Sequence, residues 1–165
     1  IPTGYLGWGY YQAYFPDYKY DEVASSVTFH VYQPSYLPDG VQLESRYSIL
    51  EQNQMFEGLP SVRVMYGNGI EHLTQGDKRL IAITQSQVPP QFDLDRHLET
   101  AVEETGAELT PITLPDFPNT NAVLQSGSVV SMVWVQTNDG VLISIITPES
   151  KTTADELIKK ADSLH

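Results

Sequence analysis

Apolar residues recur at every second position through much of this chain, the spacing of strands that lay one face on a core. In "SVTFHVYQP", Val27, Phe29 and Val31 alternate with Thr28, His30 and Tyr32, which predicts a first strand. In "VQLESRYSIL", Val41, Leu43, Ser45, Tyr47 and Ile49 share one side. The run "SVRVMYGNG" alternates again and stops at Gly67-Asn68-Gly69, a hairpin signal, with "DKRLIAITQSQ" as its antiparallel partner. "SVVSMVWVQT" and "VLISIIT" are the strongest strands, joined by Asn138-Asp139-Gly140, and Trp134 in the middle of the first belongs to the core. The prolines of "LTPITLPDFPNTNAVLQ" argue against a central strand and predict edge and loop structure.

The period changes in two places. Asp93 is placed to cap "DLDRHLETAVEETGAE", whose Leu94, His97, Leu98, Ala101 and Val102 form an amphipathic stripe ended by Gly106. Near the C-terminus, Thr153 and Glu156 suit a capping box for "ADELIKKADSL". There Leu157, Ile158, Ala161 and Leu164 form the buried stripe, with Lys159 and Lys160 near the negative helix end.

Strands linked by hairpins, with helices set apart from them, predict an α+β fold: a curved antiparallel sheet with helices packed on one face. One domain over residues 1–165 is expected, because a chain of this length can bury roughly two thirds of its unfolded surface in a single core. Within it, residues 1–26 form an aromatic N-terminal arm, and residues 27–165 form the sheet with helices near 93–105 and 153–164. No internal repeat is evident.

Composition narrows the chemistry. The chain carries 21 acidic residues against 9 lysines and arginines, a formal charge of −12. Such a field repels nucleic-acid phosphates and anionic lipid, and it favours solubility. There is no cysteine, which excludes disulfides, thiolate metal sites and cysteine nucleophiles. Apolar runs such as "VVSMVWV" fall far short of the roughly 20 residues of a membrane helix. The chain begins at Ile1, which fits removal of a leader, an anchor or an upstream domain, and equally an arbitrary start.

From Tyr36 onward, the order of "PSYLPDGVQLES", "VRVMYGNG", "RLIAITQSQ", "MVWVQTNDGVLISI" and "TADELIKKADSLH" resembles the bacterial domain-of-unknown-function 4367 family. The helical insertion "DLDRHLETAVEETGAE" is longer than in that pattern, "VLISIIT" lacks its aromatic, and the N-terminal arm lies outside it. The resemblance implies an extracytoplasmic portion of a membrane-anchored protein or lipoprotein of a Gram-positive bacterium, with an anchor upstream of Ile1. It implies sensing, regulation or scaffolding through a protein or cell-envelope component, and no catalytic residues.

The residues themselves point the same way. His30, His72, His97 and His165 show no metal-ligand spacing, and Glu99, Glu103 and Glu104 suit a solvated helix face. There is no Gly-x-Ser-x-Gly elbow, no phosphate loop and no calcium loop, so neither cofactor nor metal is expected. A hydrolase would need a serine or carboxylate brought against a histidine by the fold. The candidate binding residues are aromatic: Trp8, Tyr11, Phe15 and Tyr18, at helical steps in the arm, and Tyr36. The arm could cover the sheet, or it could line a lipid or glycan site on the concave face, the alternative function. Pro34, Pro38 and Gly40 around Tyr36 each have a backbone reason to be there, so that segment reads as a tight corner.

Overall fold

A computed structural model describes residues 20–36, 42–50, 56, 58–67, 81–127, 130–148 and 154–165. In chain order these residues form α1 (Tyr20–Ser26), β1 (Gln42–Leu50), β2 (Ser61–Gly67), β3 (Ile81–Gln87), α2 (Leu94–Thr105), β4 (Glu108–Ile112), β5 (Asn121–Ser126), β6 (Val130–Gln136), β7 (Val141–Pro148) and α3 (Ala154–Asp162). The strands make one open, curved sheet of order β1-β2-β3-β7-β6-β5-β4. Every neighbouring pair is antiparallel. The fold is α+β, as the alternation predicts. It consists of two meanders, β1 to β3 and β4 to β7, that meet where β3 pairs with β7. No helix among the described residues is long and apolar enough to cross a membrane.

Local signals explain the best-formed pieces. Asp93 caps α2 by accepting from the Asp95 N–H at 3.1 Å and the Arg96 N–H at 3.5 Å. Gly106 ends the helix at φ 67°, with its N–H donating to Val102 O at 2.9 Å. The β6–β7 turn places Gly140 at φ 84°, a conformation that favours glycine, and Thr137 N–H donates across it to Val141 O at 2.9 Å. Pro111 lies on β4, an outer strand, where a missing N–H costs no ladder bond. β5 is different: it lies inside the sheet between β4 and β6, although the proline-rich segment containing it reads as edge and loop.

The sheet has a core on each side. On the first face Val62, Val64, Ile81, Ile83, Val133, Val135, Val141, Ile143 and Ile145 pack against Val23 of α1 and Leu157 and Ala161 of α3. On the second face Val123, Trp134 and Leu142 pack against Leu94 and Leu98 of α2. The helices are therefore divided between the faces, where the sequence reading placed them together. Strands β5 to β7 carry large apolar groups on both sides, and each side needs its own cover. Burying each such side chain stabilises the fold by about 1.5–3 kcal/mol.

The strand predicted at "SVTFHVYQP" is not one. Residues 30–36 form no strand; Val31 and Tyr32 pack on the first face, and the segment makes one isolated bridge, Pro34 to Leu164. Both edges of β3 are already taken by β2 and β7, so the segment cannot join the sheet there. It is held instead by a fully buried side chain, Gln85. Gln85 Oε1 accepts from Tyr32 N–H at 2.7 Å, and Gln85 Nε2 donates to Tyr32 O at 2.8 Å. This amide does for one residue what a neighbouring strand would do. The C-terminal residues complete the clamp: Gln33 and His165 exchange backbone hydrogen bonds at 3.0 Å, and Ser35 N–H donates to Ser163 O at 3.2 Å.

Candidate functional site

That clamp builds a cleft. Three segments distant in sequence meet at the C-terminal end of α3: Ser35 and Tyr36, the turn carrying Asp116, and Lys159, Asp162 and Ser163 with the residues that follow. The cleft is open and has a volume of about 580 Å³. Tyr36 is held by its backbone, its N–H donating to Ser163 Oγ at 3.1 Å. Lys159 Nζ stands 4.9 Å from the centre of the Tyr36 ring, in cation–π range. The backbone N–H of Asp116 donates to Asp162 Oδ1 at 2.8 Å, which ties the turn carrying Asp116 to the end of α3.

The electrostatics of this cleft are uneven. Asp162 lies at the negative end of the α3 dipole, a position that suits a cation and disfavours a carboxylate. Neither aspartate forms an ion pair with a described residue, and Lys159, the cation at hand, is committed to the Tyr36 ring. Ser163 Oγ accepts from Tyr36 N–H and donates to Lys160 O at 2.8 Å, so it is no free nucleophile. The His165 ring meets only a backbone carbonyl here, Nδ1 lying 3.3 Å from Ser163 O. These groups suit recognition of a polar, charged partner.

Of the candidate residues, Tyr36 is in this cleft, while Trp8, Tyr11, Phe15 and Tyr18 lie outside the described residues, as do 37–40 of the corner. The histidines are spread out. His30 is exposed and meets Tyr32 edge-on at 4.6 Å, and His72 lies outside the described residues. His97 sits on the second face among Phe92 at 5.4 Å, Trp134 at 5.8 Å and Phe56 at 5.9 Å, and this burial lowers its pKa. Among the described residues no group of His, Asp or Glu could hold a metal ion.

The sequence reading missed Lys160. Lys159 does extend from the end of α3 into solvent, but Lys160 is fully buried and its Nζ has no hydrogen-bond partner. Burial pushes its ammonium down to about 8, with Glu156 one turn earlier acting weakly the other way. The available signal was its place beside Leu157, Ala161 and Leu164 on the helix surface. Asp116 and Asp162 carried no local signal, because only the tertiary clamp brings them together.

Compared with known proteins, the chain matches no family model, no curated protein and no solved structure.

Proposed function

We propose that this chain is a non-catalytic, protein-binding domain of a bacterial envelope protein, held outside the cytoplasm by an anchor elsewhere in the full-length protein. The location rests on the resemblance carried by "YLPDGVQL" and by the Trp134 hairpin with its closing helix. The binding role rests on one observation above others: the cleft at the end of α3 gathers an aromatic ring, a cation and two carboxylates from three separate segments. Those groups are recognition chemistry. Aromatic faces and charged tips are the common currency of protein contacts, and electrostatic complementarity sets their specificity.

Two experiments test this reading. Intact producing cells are treated with an external protease and fractionated, and the full-length protein is followed by antibody. The expected result is cleavage from outside and recovery with the membrane; protection in intact cells and recovery in the cytosol would overturn the location. A photoreactive phenylalanine analogue at position 36 is then irradiated in those cells. Crosslinking to one defined envelope protein, lost with Asp116→Asn, is expected; crosslinks no stronger than from position 95 on the exposed side of α2 would remove the binding role.

A further inference from the structure

The geometry points to Asp139–Gly140 in the β6–β7 turn as a latent site of spontaneous aspartate isomerisation, held unreactive by Tyr32 and Thr137. An aspartate followed by glycine is chemically susceptible, because glycine places no side chain beside the attacking nitrogen. The Gly140 amide nitrogen, losing its proton, attacks Cγ of the Asp139 carboxyl group, and one carboxyl oxygen leaves as water. The five-membered succinimide then takes up water. Opening at Cγ restores aspartate. Opening at the former backbone carbonyl breaks its bond to the Gly140 nitrogen and routes the main chain through Cβ and Cγ. The water lost in the first step returns in the second, so no other reagent is needed.

The contacts around this turn carry the assignment. Asp139 is exposed, so solvent water reaches it. Both of its carboxyl oxygens are nevertheless tied. The Tyr32 hydroxyl donates to them, 3.0 Å from Oδ2 and 3.2 Å from Oδ1, and Thr137 Oγ1 donates to Oδ1. Closing the ring moves the carboxyl carbon onto the Gly140 nitrogen and expels an oxygen, so a carboxyl group held at both oxygens must first give up these bonds. The guard is itself fixed from outside the turn. Gln85 holds both polar groups of the Tyr32 backbone, and the Tyr32 ring packs on Phe117 with centroids 5.2 Å apart. Burial, followed by the Asp139 hydrogen bond, pushes the Tyr32 hydroxyl up to about 12, so it stays a donor at neutral pH.

The reaction would also disarm its guard. An extra main-chain carbon moves the carboxylate away from Tyr32 and disturbs the turn that sets Thr137 N–H on Val141 O and Val88 N–H on Gly140 O. The latch therefore opens one way.

The test ages the intact protein at neutral pH and body temperature. Isoaspartate at residue 139 is followed by mass spectrometry of the peptide that carries it and by enzymatic methylation. The native wild type should isomerise at least about tenfold more slowly than the same chain in urea, since the reaction must wait for the turn to open. Tyr32→Phe keeps the ring and removes the hydroxyl, and should accelerate the reaction about two- to tenfold, the worth of one hydrogen bond. Thr137→Val should do likewise, which gives an independent route should Tyr32→Phe fail to fold, and the two together should exceed either alone. Leu98→Ala weakens the core beneath α2 without touching the turn. It should leave the rate unchanged while the protein stays folded, which separates loss of the guard from loss of stability. A folded Tyr32→Phe protein that ages at the wild-type rate, a native wild type as fast as the chain in urea, or equal acceleration by Leu98→Ala would each overturn the proposal.

Discussion

Lys160→Met should make this protein more stable at neutral pH. The wild-type amine sits fully buried on the core side of α3 without a hydrogen-bond partner, and its pKa falls from 10.5 to about 8. Each pKa unit is worth about 1.4 kcal/mol, so confinement of the ammonium costs at most about 3 kcal/mol, reduced by solvent screening and relaxation to about 1–2 kcal/mol. The fold disfavours the charged form, so the folded protein binds the proton less tightly than the unfolded chain. Stability from this group is complete above pH 10.5, declines as pH falls through 8, and reaches its lower level at neutral pH.

Methionine has a similar length and no charge to confine. Urea unfolding followed by far-ultraviolet circular dichroism at pH 7 and pH 10 separates the contributions. At pH 7 the variant should be more stable by about 1–2 kcal/mol. At pH 10 about three quarters of the charge penalty has gone from the wild type, so the advantage should shrink to well under half. Packing differences between the two side chains do not depend on pH and cancel in that comparison. An equal advantage at both pH values, or a variant less stable at both, would refute the reasoning; the latter would mean that the ammonium is paired and useful.

Gln85→Ala should cost about 2–4 kcal/mol in the same assay, since it opens a cavity and leaves both polar groups of the Tyr32 backbone unpaired; Tyr32 amide exchange should accelerate with it. His97→Phe keeps an aromatic ring among Phe56, Phe92 and Trp134 but removes a titrating group whose pKa burial lowers. Wild-type stability should therefore be fully present above pH 6.5 and decline as pH falls through the lower folded value, while the Phe variant declines less over that window. Gly106→Ala should lower stability by about 1 kcal/mol, seen as a fall in Tm, from backbone strain alone, because a Cβ at φ 67° meets nothing within 4 Å.

The parts of this fold that sequence makes legible are those with local causes. Asp93 and Gly106 bound α2 because capping is a matter of a few neighbouring backbone groups. The β6–β7 hairpin follows from three turn residues. "SVTFHVYQP" has the same alternation as a true strand, yet a strand is defined by its partners, and both edges of β3 were already occupied. The second core was also written in the chain, in another form. Val133-Trp134-Val135 and Leu142-Ile143 are apolar at odd and even positions alike, which means burial on both faces of the sheet. The cleft was visible only as Tyr36. Its other charged groups lie some 80 to 126 positions further along the chain, and their meeting depends on a clamp that no local pattern announces.

The division of the helices bears on where a partner can act. Over β5 to β7 one face is filled from Leu157 and Ala161 and the other from Leu94 and Leu98. A ligand entering either face there would displace apolar groups worth about 1.5–3 kcal/mol each. The cleft at the end of α3 imposes no such cost, because its ring and carboxylates lie outside both cores. Stability and recognition should therefore separate under mutation. Asp116→Asn should change unfolding free energy by no more than about 0.5 kcal/mol, the usual range for surface positions, while reducing partner crosslinking from position 36. Leu98→Ala and Ile143→Ala should lower stability by about 2–5 kcal/mol while leaving partner crosslinking from position 36 unchanged under conditions where the protein stays folded. Loss of that crosslinking in a folded Leu98→Ala protein would place the recognition surface on the second face, beneath α2.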